Sequence, residues 1–286
     1  MTLKKARSPR AFIAPLPLTS VRPQSPRCPV RLTLRCAASK LLVIELSEIL
    51  RKPNPAHMKT FTERVSADRA KDTDTTFVLY SSDVGYAQAM EQMEKVGLIQ
   101  PDALATFHGT ELYQRRYKTP DPYWAKMVCK DWDPKPTRWV IGEYFKTELK
   151  HCPEDSDDFG LIFECKKKKQ DRTELCREVE IKLEQMGITA RVGKRGESRN
   201  MIVTPAAGSV GDLVGFCQMM LRISEKMTFV FGGSELVNKS VQGKENLGIY
   251  GKDAGIGVKA AGEQVFVSEK NGIEALMEGV MFHDIL

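Results

Sequence analysis

The alternation of short apolar runs with longer amphipathic segments constrains the fold of this 286-residue chain more than any other feature. The runs have the length of buried strands, and segments between them, such as Tyr86–Val96 and Asp212–Ile223, have the spacing of helices. This alternation predicts an α/β fold with a parallel sheet. The predicted strands are Leu41–Leu46, Thr75–Tyr80, Leu104–Phe107, Met201–Thr204 and Thr228–Phe231.

The middle of the chain breaks this alternation. Residues 119–138 are rich in Pro, Asp and Trp, a composition typical of a domain boundary or a binding loop. Beyond them we predict a strand at Leu161–Cys165, an amphipathic helix at Asp171–Gly187 and a strand at Ile188–Val192. The sequence therefore predicts an α+β unit, residues 119–201, inserted into a core domain formed by residues 39–118 and 202–286.

The N-terminal segment has the composition of a targeting peptide. Its first 40 residues include nine Lys and Arg and no acidic residue. This pattern predicts an organelle transit peptide over residues 1–38. The run Val30–Ser39, VRLTLRCAAS, resembles the end of a chloroplast transit peptide. A mitochondrial presequence and a disordered basic tail are the alternatives.

Charge and cysteine spacing argue against several kinds of partner. The chain beyond residue 40 holds 34 of the 43 basic residues and all 37 acidic ones, so it is mildly acidic and unsuited to nonspecific nucleic-acid binding. No apolar run approaches the roughly 20 residues of a membrane span. No cysteine pair has CxxC spacing and the four histidines are isolated, so no metal cluster is predicted.

Polar residues follow the ends of the predicted strands. Glu45 and Ser47 follow the first strand, Ser82 follows the second, and the segment GGSELV follows Phe231. Because the carboxyl ends of parallel strands meet at one edge of a sheet, we expect these residues to form one site.

The same arrangement resembles the sucrose-6-phosphate phosphatase family of the haloacid dehalogenase (HAD-like) superfamily. The most specific segments are LIQPDALATFHGTELY, TPDPYWAKMVCKDWD and NGIEALMEGVMFHDIL, at Leu98–Tyr113, Thr119–Asp133 and Asn271–Leu286. The resemblance implies a HAD-like Rossmannoid three-layer core with a parallel sheet, and an inserted α+β cap domain.

The resemblance also implies which positions carried the chemistry. Members of the family use two aspartates, a hydroxyl, a lysine and a set of acidic Mg²⁺ ligands. The positions of the aspartates, the lysine and the ligands of the last motif are occupied here by Glu45, Ser47, Val210, Gly233 and Val237. Only Ser82, at the hydroxyl position, keeps the residue type of the family. We therefore predict that the phosphatase chemistry and the Mg²⁺ site are lost, and we expect no catalytic residue and no cofactor.

Several residues remain as candidate remnants of a binding site. Ser82, with the backbone N–H groups of Gly232, Gly233 and Ser234, forms a candidate phosphate-binding remnant, or these residues only form a tight turn. The resemblance places Glu111, in the segment GTELY, beside the site. It places Asn200 and Ile202, in ESRNMIVTP, at two aspartates of the cap's specificity loop, which argues against sucrose recognition.

These observations predict a plastid pseudophosphatase that acts as a protein-binding, scaffold or regulatory module, with another organellar protein as its partner. Trp124, Trp132 and Trp139 are candidate anchors for that partner, unless they pack inside the fold. One alternative is a sugar-phosphate phosphatase of low or altered activity that uses relocated acids such as Glu48 or Asp83. Another alternative is a non-catalytic sensor that binds a sugar phosphate.

Overall fold

The computed structural model describes residues 38–71, 73–156, 159–166, 172–194, 199–241, 244–253 and 265–286. The predicted transit peptide lies outside this set except for Ala38, which already belongs to the first strand. Asp171, the predicted start of a helix, also lies outside it. Within the described residues, no helix is both long enough and apolar enough to cross a membrane.

The strands form two separate sheets. In chain order they are β1 (Ala38–Glu45), β2 (Thr75–Ser81), β3 (Ala103–Thr106), β4 (Glu111–Gln114), β5 (Leu149–His151), β6 (Leu161–Cys165), β7 (Ala190–Lys194), β8 (Asn200–Pro205), β9 (Thr228–Phe231), β10 (Leu247–Tyr250) and β11 (Val265–Val267). The core sheet has the order β11-β10-β9-β1-β2-β3-β4, and the cap sheet has the order β5-β6-β8-β7.

The core sheet is parallel except at one edge, where β4 runs antiparallel to β3. Its central strands are buried on both faces, since Leu41–Ile44 and every residue of β2 are buried. A parallel strand covered by helices on both faces requires such a nearly continuous apolar run. The mixed α/β architecture predicted from the alternation is thus confirmed.

The helices cover both sheets. They are α1 (Leu46–Leu50), α2 (Pro55–Arg69), α3 (Tyr86–Lys95), α4 (Pro122–Val128), α5 (Pro134–Tyr144), α6 (Arg172–Gln185), α7 (Val210–Leu221), α8 (Ser234–Val241) and α9 (Gly272–Phe282). Helices α4 and α5 lie in the segment expected to be a boundary or a binding loop. Asp121 and Asp133 cap them, and in both a Pro occupies the first turn, where it costs no hydrogen bond.

The cap sheet is antiparallel, and helices α5 and α6 pack on one of its faces around Phe163, Val179 and Val203. Strand β8 pairs with both β6 and β7, so residues 202–205 belong to this sheet. The predicted boundary after residue 201 therefore falls inside a cap strand. The prediction that Met201–Thr204 is a strand of the parallel core sheet is wrong, because this apolar run forms β8 of the cap, and a short apolar run alone fits either sheet.

Candidate functional site

The predicted site residues lie at the carboxyl end of the core sheet. In the register of the sheet, Glu45 pairs with Ser81, and Ser81 pairs with Ala105 on the next strand. On the other side of β1, Ile44 pairs with Phe231, the last residue of β9. The segments that follow β1, β2, β3 and β9 therefore meet at one edge of the sheet, as expected for parallel strands.

Glu45 is held by its own chain at both carboxylate oxygens. The backbone N–H of Gly233 donates to Oε2 at 2.7 Å, and the hydroxyl of Ser47 donates to Oε1 at 3.1 Å. A Cβ atom at Gly232 would lie 2.7 Å from Oε2, so the carboxylate approaches the chain at a point where only glycine leaves room. The first and last motifs are thus joined directly through a hydrogen bond.

Burial and hydrogen bonding act in opposite directions on the ionisation of Glu45. Burial raises the pKa of the Glu45 carboxyl above its ordinary value of 4.5. The hydrogen bonds from Gly233 and Ser47 oppose this rise, and the negative charge of Glu48 adds to it. Glu48 lies near the same turn, because a Cβ atom at Gly233 would be 3.4 Å from Glu45 Oε2 and 3.6 Å from Glu48 Oε1.

Glu48 has a partner of its own. Its Oε1 lies 3.0 Å from Nη2 of Arg51, three residues later at the end of α1. The side chain of Glu48 is largely buried and that of Arg51 is mostly exposed. The pair neutralises Glu48 at the rim of the site and leaves Glu45 without a cationic partner among the contacts described above.

Apolar side chains occupy the positions of the last motif. Val237 is fully buried, and a Cβ atom at Gly248 on β10 would lie 2.7 Å from its Cγ1. Leu236 is half-buried. A Cβ atom at Gly232, which would approach Glu45, would also lie 2.9 Å from Cδ2 of Leu236. Helix α8 starts at Ser234, whose side chain lies outside the described part of the structure.

These residues do not fit a magnesium ion. Mg²⁺ prefers about six oxygen ligands in near-octahedral order, and Gly233 and Val237 supply no side-chain oxygen. The N–H of Gly233 directs its positive hydrogen at Glu45 Oε2. A group of that polarity repels a cation and cannot serve as its ligand. Within the described residues, no group of three or more His, Cys, Asp or Glu side chains could hold a metal ion.

Ser82 takes part in a turn. It is 3% exposed, and its hydroxyl oxygen accepts a hydrogen bond from the N–H of Val84 at 3.2 Å. Its backbone N–H donates to the carbonyl of Ala105, and its carbonyl accepts from the N–H of His108. These bonds fix the chain after β2 against the chain after β3, which is a structural role.

Val210, which the resemblance places at the lysine position of the family, is the first residue of α7. Ser209 caps this helix in a reciprocal arrangement with Asp212. A Cβ atom at Gly109 would lie only 2.9 Å from the backbone nitrogen of Val210. Gly109 has a φ of +99°, so glycine is required there both for its backbone conformation and for its close approach to α7.

Glu111 and Asn200 lie on strands that do not neighbour β1. The carboxylate of Glu111 is buried on β4, where it accepts hydrogen bonds from the hydroxyls of Thr106 at 2.6 Å and Tyr113 at 3.0 Å. Asn200 begins β8 in the cap sheet and pairs with Glu164 on β6. These positions give Glu111 a role in joining β3 to β4, and they place Asn200 on the cap.

Two residues of the site were missed by the sequence reasoning. Phe107 was assigned to a strand, but β3 ends at Thr106, and Phe107 and His108 have φ values of 47° and 58°. A left-handed backbone is uncommon for residues with bulky side chains. The short segment His108–Gly109 after an apolar run was the available signal, because glycine often follows such turns.

His108 lies between the core and the cap. Its ring lies within reach of the charges of Asp83 and Glu45 on the core and of Arg191 on cap strand β7. Burial lowers the pKa of His108 below its ordinary value of 6.5. Its Nε2 is buried and has no hydrogen-bond partner within the described residues.

Phe107 also reaches the cap. It is 8% exposed and packs in a small cluster with Ile162 on β6 and Ile202 on β8, against which Cys152 is packed. Ile202 is the residue at an aspartate position of the specificity loop. The structure therefore places an apolar contact where the resemblance implied a polar substrate contact.

The three tryptophans have different surroundings. Trp124 is buried, and its ring lies beside the tilted ring of Phe216. Its Nε1 donates a hydrogen bond of 2.9 Å to the carbonyl of Gly109. Trp132 is half-buried against the cap core. Trp139 on α5 is 60% exposed.

Comparison with known proteins identifies relatives with the same architecture. Residues 38–284 match the family model described as sucrose-6F-phosphate phosphohydrolase. The sucrose-phosphatase of Synechocystis sp. PCC6803, solved in complex with sucrose and phosphate, superposes with a TM-score of 0.72 at 17% identity, over 86% of this chain and 98% of that chain. No curated protein matched the sequence.

More distant structures share the fold. A haloacid dehalogenase-like hydrolase protein from Bacillus subtilis has a TM-score of 0.63 at 12% identity, over 87% of this chain and 93% of that chain. The trehalose-6-phosphate phosphatase of Aspergillus fumigatus has a TM-score of 0.51 at 14% identity, over 87% of this chain and 94% of that chain. At such identities the similarity establishes the fold alone.

Proposed function

The chain belongs to the sucrose-6F-phosphate phosphohydrolase family, and we propose that it is a member that no longer hydrolyses a phosphate ester and acts instead as a protein-binding or regulatory module. The observation that carries this proposal is the hydrogen bond of 2.7 Å between the N–H of Gly233 and the carboxylate of Glu45. It joins, through a backbone amide, the two positions at which the resemblance implies the nucleophile and a metal-binding acid.

The state of Glu45 supports the loss of nucleophilic attack. An attacking carboxylate needs an oxygen that is ionised and directed at phosphorus in line with the leaving group. Both oxygens of Glu45 accept hydrogen bonds, and burial raises the pKa of its carboxyl. Glutamate also has one methylene more than aspartate, and a misplacement of about 1 Å can cost about 10²-fold in rate.

The position of the general acid supports the same proposal. Ser47 has an alcohol in place of a carboxylic acid, and an alcohol does not release a proton to a leaving group near neutral pH. Its hydroxyl donates to Glu45. Ser47 therefore serves to hold Glu45 in place.

The charge of the site disfavours a phosphate dianion. Glu45 and Asp83 lie near His108, and the resemblance places Val210 at the position of the lysine, while Arg51 already compensates the charge of Glu48. Charges of the same sign repel strongly in a partly buried site, where water screens them weakly. A phosphoryl group here would lack both the metal ion and the lysine that compensate its charge in an active site.

The exposed face of the cap supports a protein partner. Trp139 is 60% exposed and Tyr144 is 49% exposed, both on α5, and Nζ of Lys182 on α6 lies 3.9 Å from the centre of the Tyr144 ring. Trp and Tyr are enriched among the residues that dominate binding energy at protein interfaces. We place the partner contact on this face and, from the composition of residues 1–38, we place the protein in the chloroplast, with the mitochondrion as the alternative.

A second candidate function is a sugar-phosphate phosphatase of low activity. It is favoured by the carboxylates that remain near Glu45, namely those of Glu48 and Asp83. A third candidate, a sensor that binds a sugar phosphate without turnover, uses the same site.

Calorimetric titration of the full chain separates these functions. We expect no binding heat with Mg²⁺ and none with sucrose 6-phosphate, which supports the protein-binding module. Heat with sucrose 6-phosphate in the absence of Mg²⁺ identifies a sensor. Mg²⁺ binding that disappears in Glu45→Ala contradicts the proposal and favours the enzyme.

A further inference from the structure

One apolar contact between the core and the cap starts from an unusual loop. Phe107, His108 and Gly109 follow β3 in three consecutive left-handed backbone conformations. Such conformations are costly for side chains other than glycine and persist only where neighbouring structure fixes them. Here the N–H of His108 donates to the carbonyl of Ser82, and Nε1 of Trp124 donates to the carbonyl of Gly109.

The loop directs the Phe107 ring across the cleft. On the core side the ring lies against Gly85, where a Cβ atom would be 3.2 Å from the ring. On the cap side it packs on Ile162 and Ile202. These two isoleucines are paired across β6 and β8, so they form one apolar surface that faces the ring.

A polar contact closes the cap beyond this apolar one. Arg191 on β7 donates to the carbonyls of Pro205 and Gly208, which lie at the exit from the cap. Through Phe107, the loop after β3 contacts β6 and β8, two strands of the cap sheet.

We propose that Phe107 forms a latch that holds the cap closed over the end of the core sheet. The latch rests on the proposed function, because a cap that stays closed suits a protein that no longer takes up and releases a substrate. In this protein the closed state, with Phe107 held against Ile162 and Ile202, is the resting state.

Cys152 offers a direct measurement of cap opening. Its side chain is half-buried and packs against the cluster of Phe107, Ile162 and Ile202. Cys217 on α7 is buried in the core and gives an internal control for global unfolding. The rate at which N-ethylmaleimide labels each thiol in the full chain can be followed by mass spectrometry.

Phe107→Ala and Ile202→Ala remove the two sides of the apolar contact. We expect each to accelerate labelling of Cys152 at least about tenfold, while labelling of Cys217 stays slow. Val203→Ala is the matched control, because Val203 is the next residue of β8 and packs into the cap core on the other face. If Phe107→Ala fails to fold, Ile202→Ala tests the same contact from the cap.

Two results overturn the latch. The first is labelling of Cys152 that is as slow in both variants as in the wild type. The second is an equal acceleration in Val203→Ala, which indicates a loosened cap. A phosphatase assay of the wild type run in parallel tests the proposed function separately, since phosphate release contradicts that function and leaves the labelling result to decide the latch.

Discussion

The backbone N–H of Gly233 donates a hydrogen bond of 2.7 Å to Oε2 of Glu45, across 188 positions of the sequence. This bond links the end of β1 to the turn after β9, the two neighbouring strands that carry the first and last motifs of the family. At two positions where the resemblance implies acids that hold an ion, this chain has a direct contact between a carboxylate and a backbone amide. The predictions below follow from this contact and from its surroundings.

Gly232→Ala should destabilise the protein by about 1–3 kcal/mol. The new Cβ atom would lie 2.7 Å from Glu45 Oε2 and 2.9 Å from Leu236 Cδ2, so the carboxylate has to move. Gly233→Ala is the matched control, because its Cβ atom would lie 3.4 Å from the nearest atom. Urea unfolding of the two variants measures the difference, and equal stabilities would contradict the close approach.

Glu45→Gln should stabilise the protein at neutral pH. Burial raises the pKa of Glu45 in the folded state, so the wild type loses stability as the pH rises from 4.5 through that pKa. Glutamine stays neutral and keeps an oxygen for Gly233. The stability difference between variant and wild type should grow as the pH rises from 4.5 through the folded-state pKa of Glu45 and should be constant on either side of that range, as measured by urea unfolding at several pH values.

Glu278→Gln provides a control of opposite sign for the pH dependence. The hydrogen bonds from Ser268 and Lys270 lower the pKa of Glu278, so its charged form contributes stability above 4.5 that is lost as the pH falls. This variant should be less stable than the wild type at neutral pH, and the difference should shrink on acidification. If the stability differences of the Glu45 and Glu278 variants changed with pH in the same direction, the opposite pKa shifts of the two residues would be refuted.

His108→Asn should reduce the acid sensitivity of the protein. Burial lowers the pKa of His108, so the wild type loses stability as the pH falls from 6.5 towards the pKa of the folded state. Asparagine does not titrate and tolerates the left-handed backbone at this position. On acidification, the melting temperature of the wild type should therefore fall relative to that of the variant. A difference in melting temperature that is independent of pH would contradict the lowered pKa of His108.

Val237→Asp should destabilise the protein by about 3 kcal/mol or more, although it restores an acid of the family's last motif. Val237 is fully buried against Gly248, so the new carboxylate would have neither water nor a cation beside it. Val237→Thr keeps the shape without the charge and should be much less harmful. Thermal unfolding with and without Mg²⁺ checks this, and rescue of the Asp variant by Mg²⁺ would indicate that the metal site survives.

The sequence predicted the layers of the fold well because buried parallel strands leave a strong signal. The runs at Thr75 and Thr228 correspond to β2 and β9 almost residue for residue. The helices α4 and α5 were missed because Asp and Pro are common both in loops and at helix starts. Here Asp121 and Asp133, each followed by a Pro, are at helix starts. Local composition does not separate these two uses.

The site was predicted in part. The replaced motif residues follow from the sequence, and the structure brings Glu45, Ser47 and Gly233 together as expected. The packing of Phe107 on Ile202 could not be predicted, because it depends on a left-handed turn after β3 and on the register of β6 with β8. Both are tertiary features without a local pattern in the sequence.

The proposed loss of phosphatase activity is tested most directly by an assay for Mg²⁺-dependent phosphate release from sucrose 6-phosphate. The wild type and Glu45→Ala are compared at equal concentration. We expect the same background rate of phosphate release from both proteins, with and without Mg²⁺. Phosphate release by the wild type that requires Mg²⁺ and disappears in Glu45→Ala would contradict the proposed loss, because Glu45 would then act as a nucleophile.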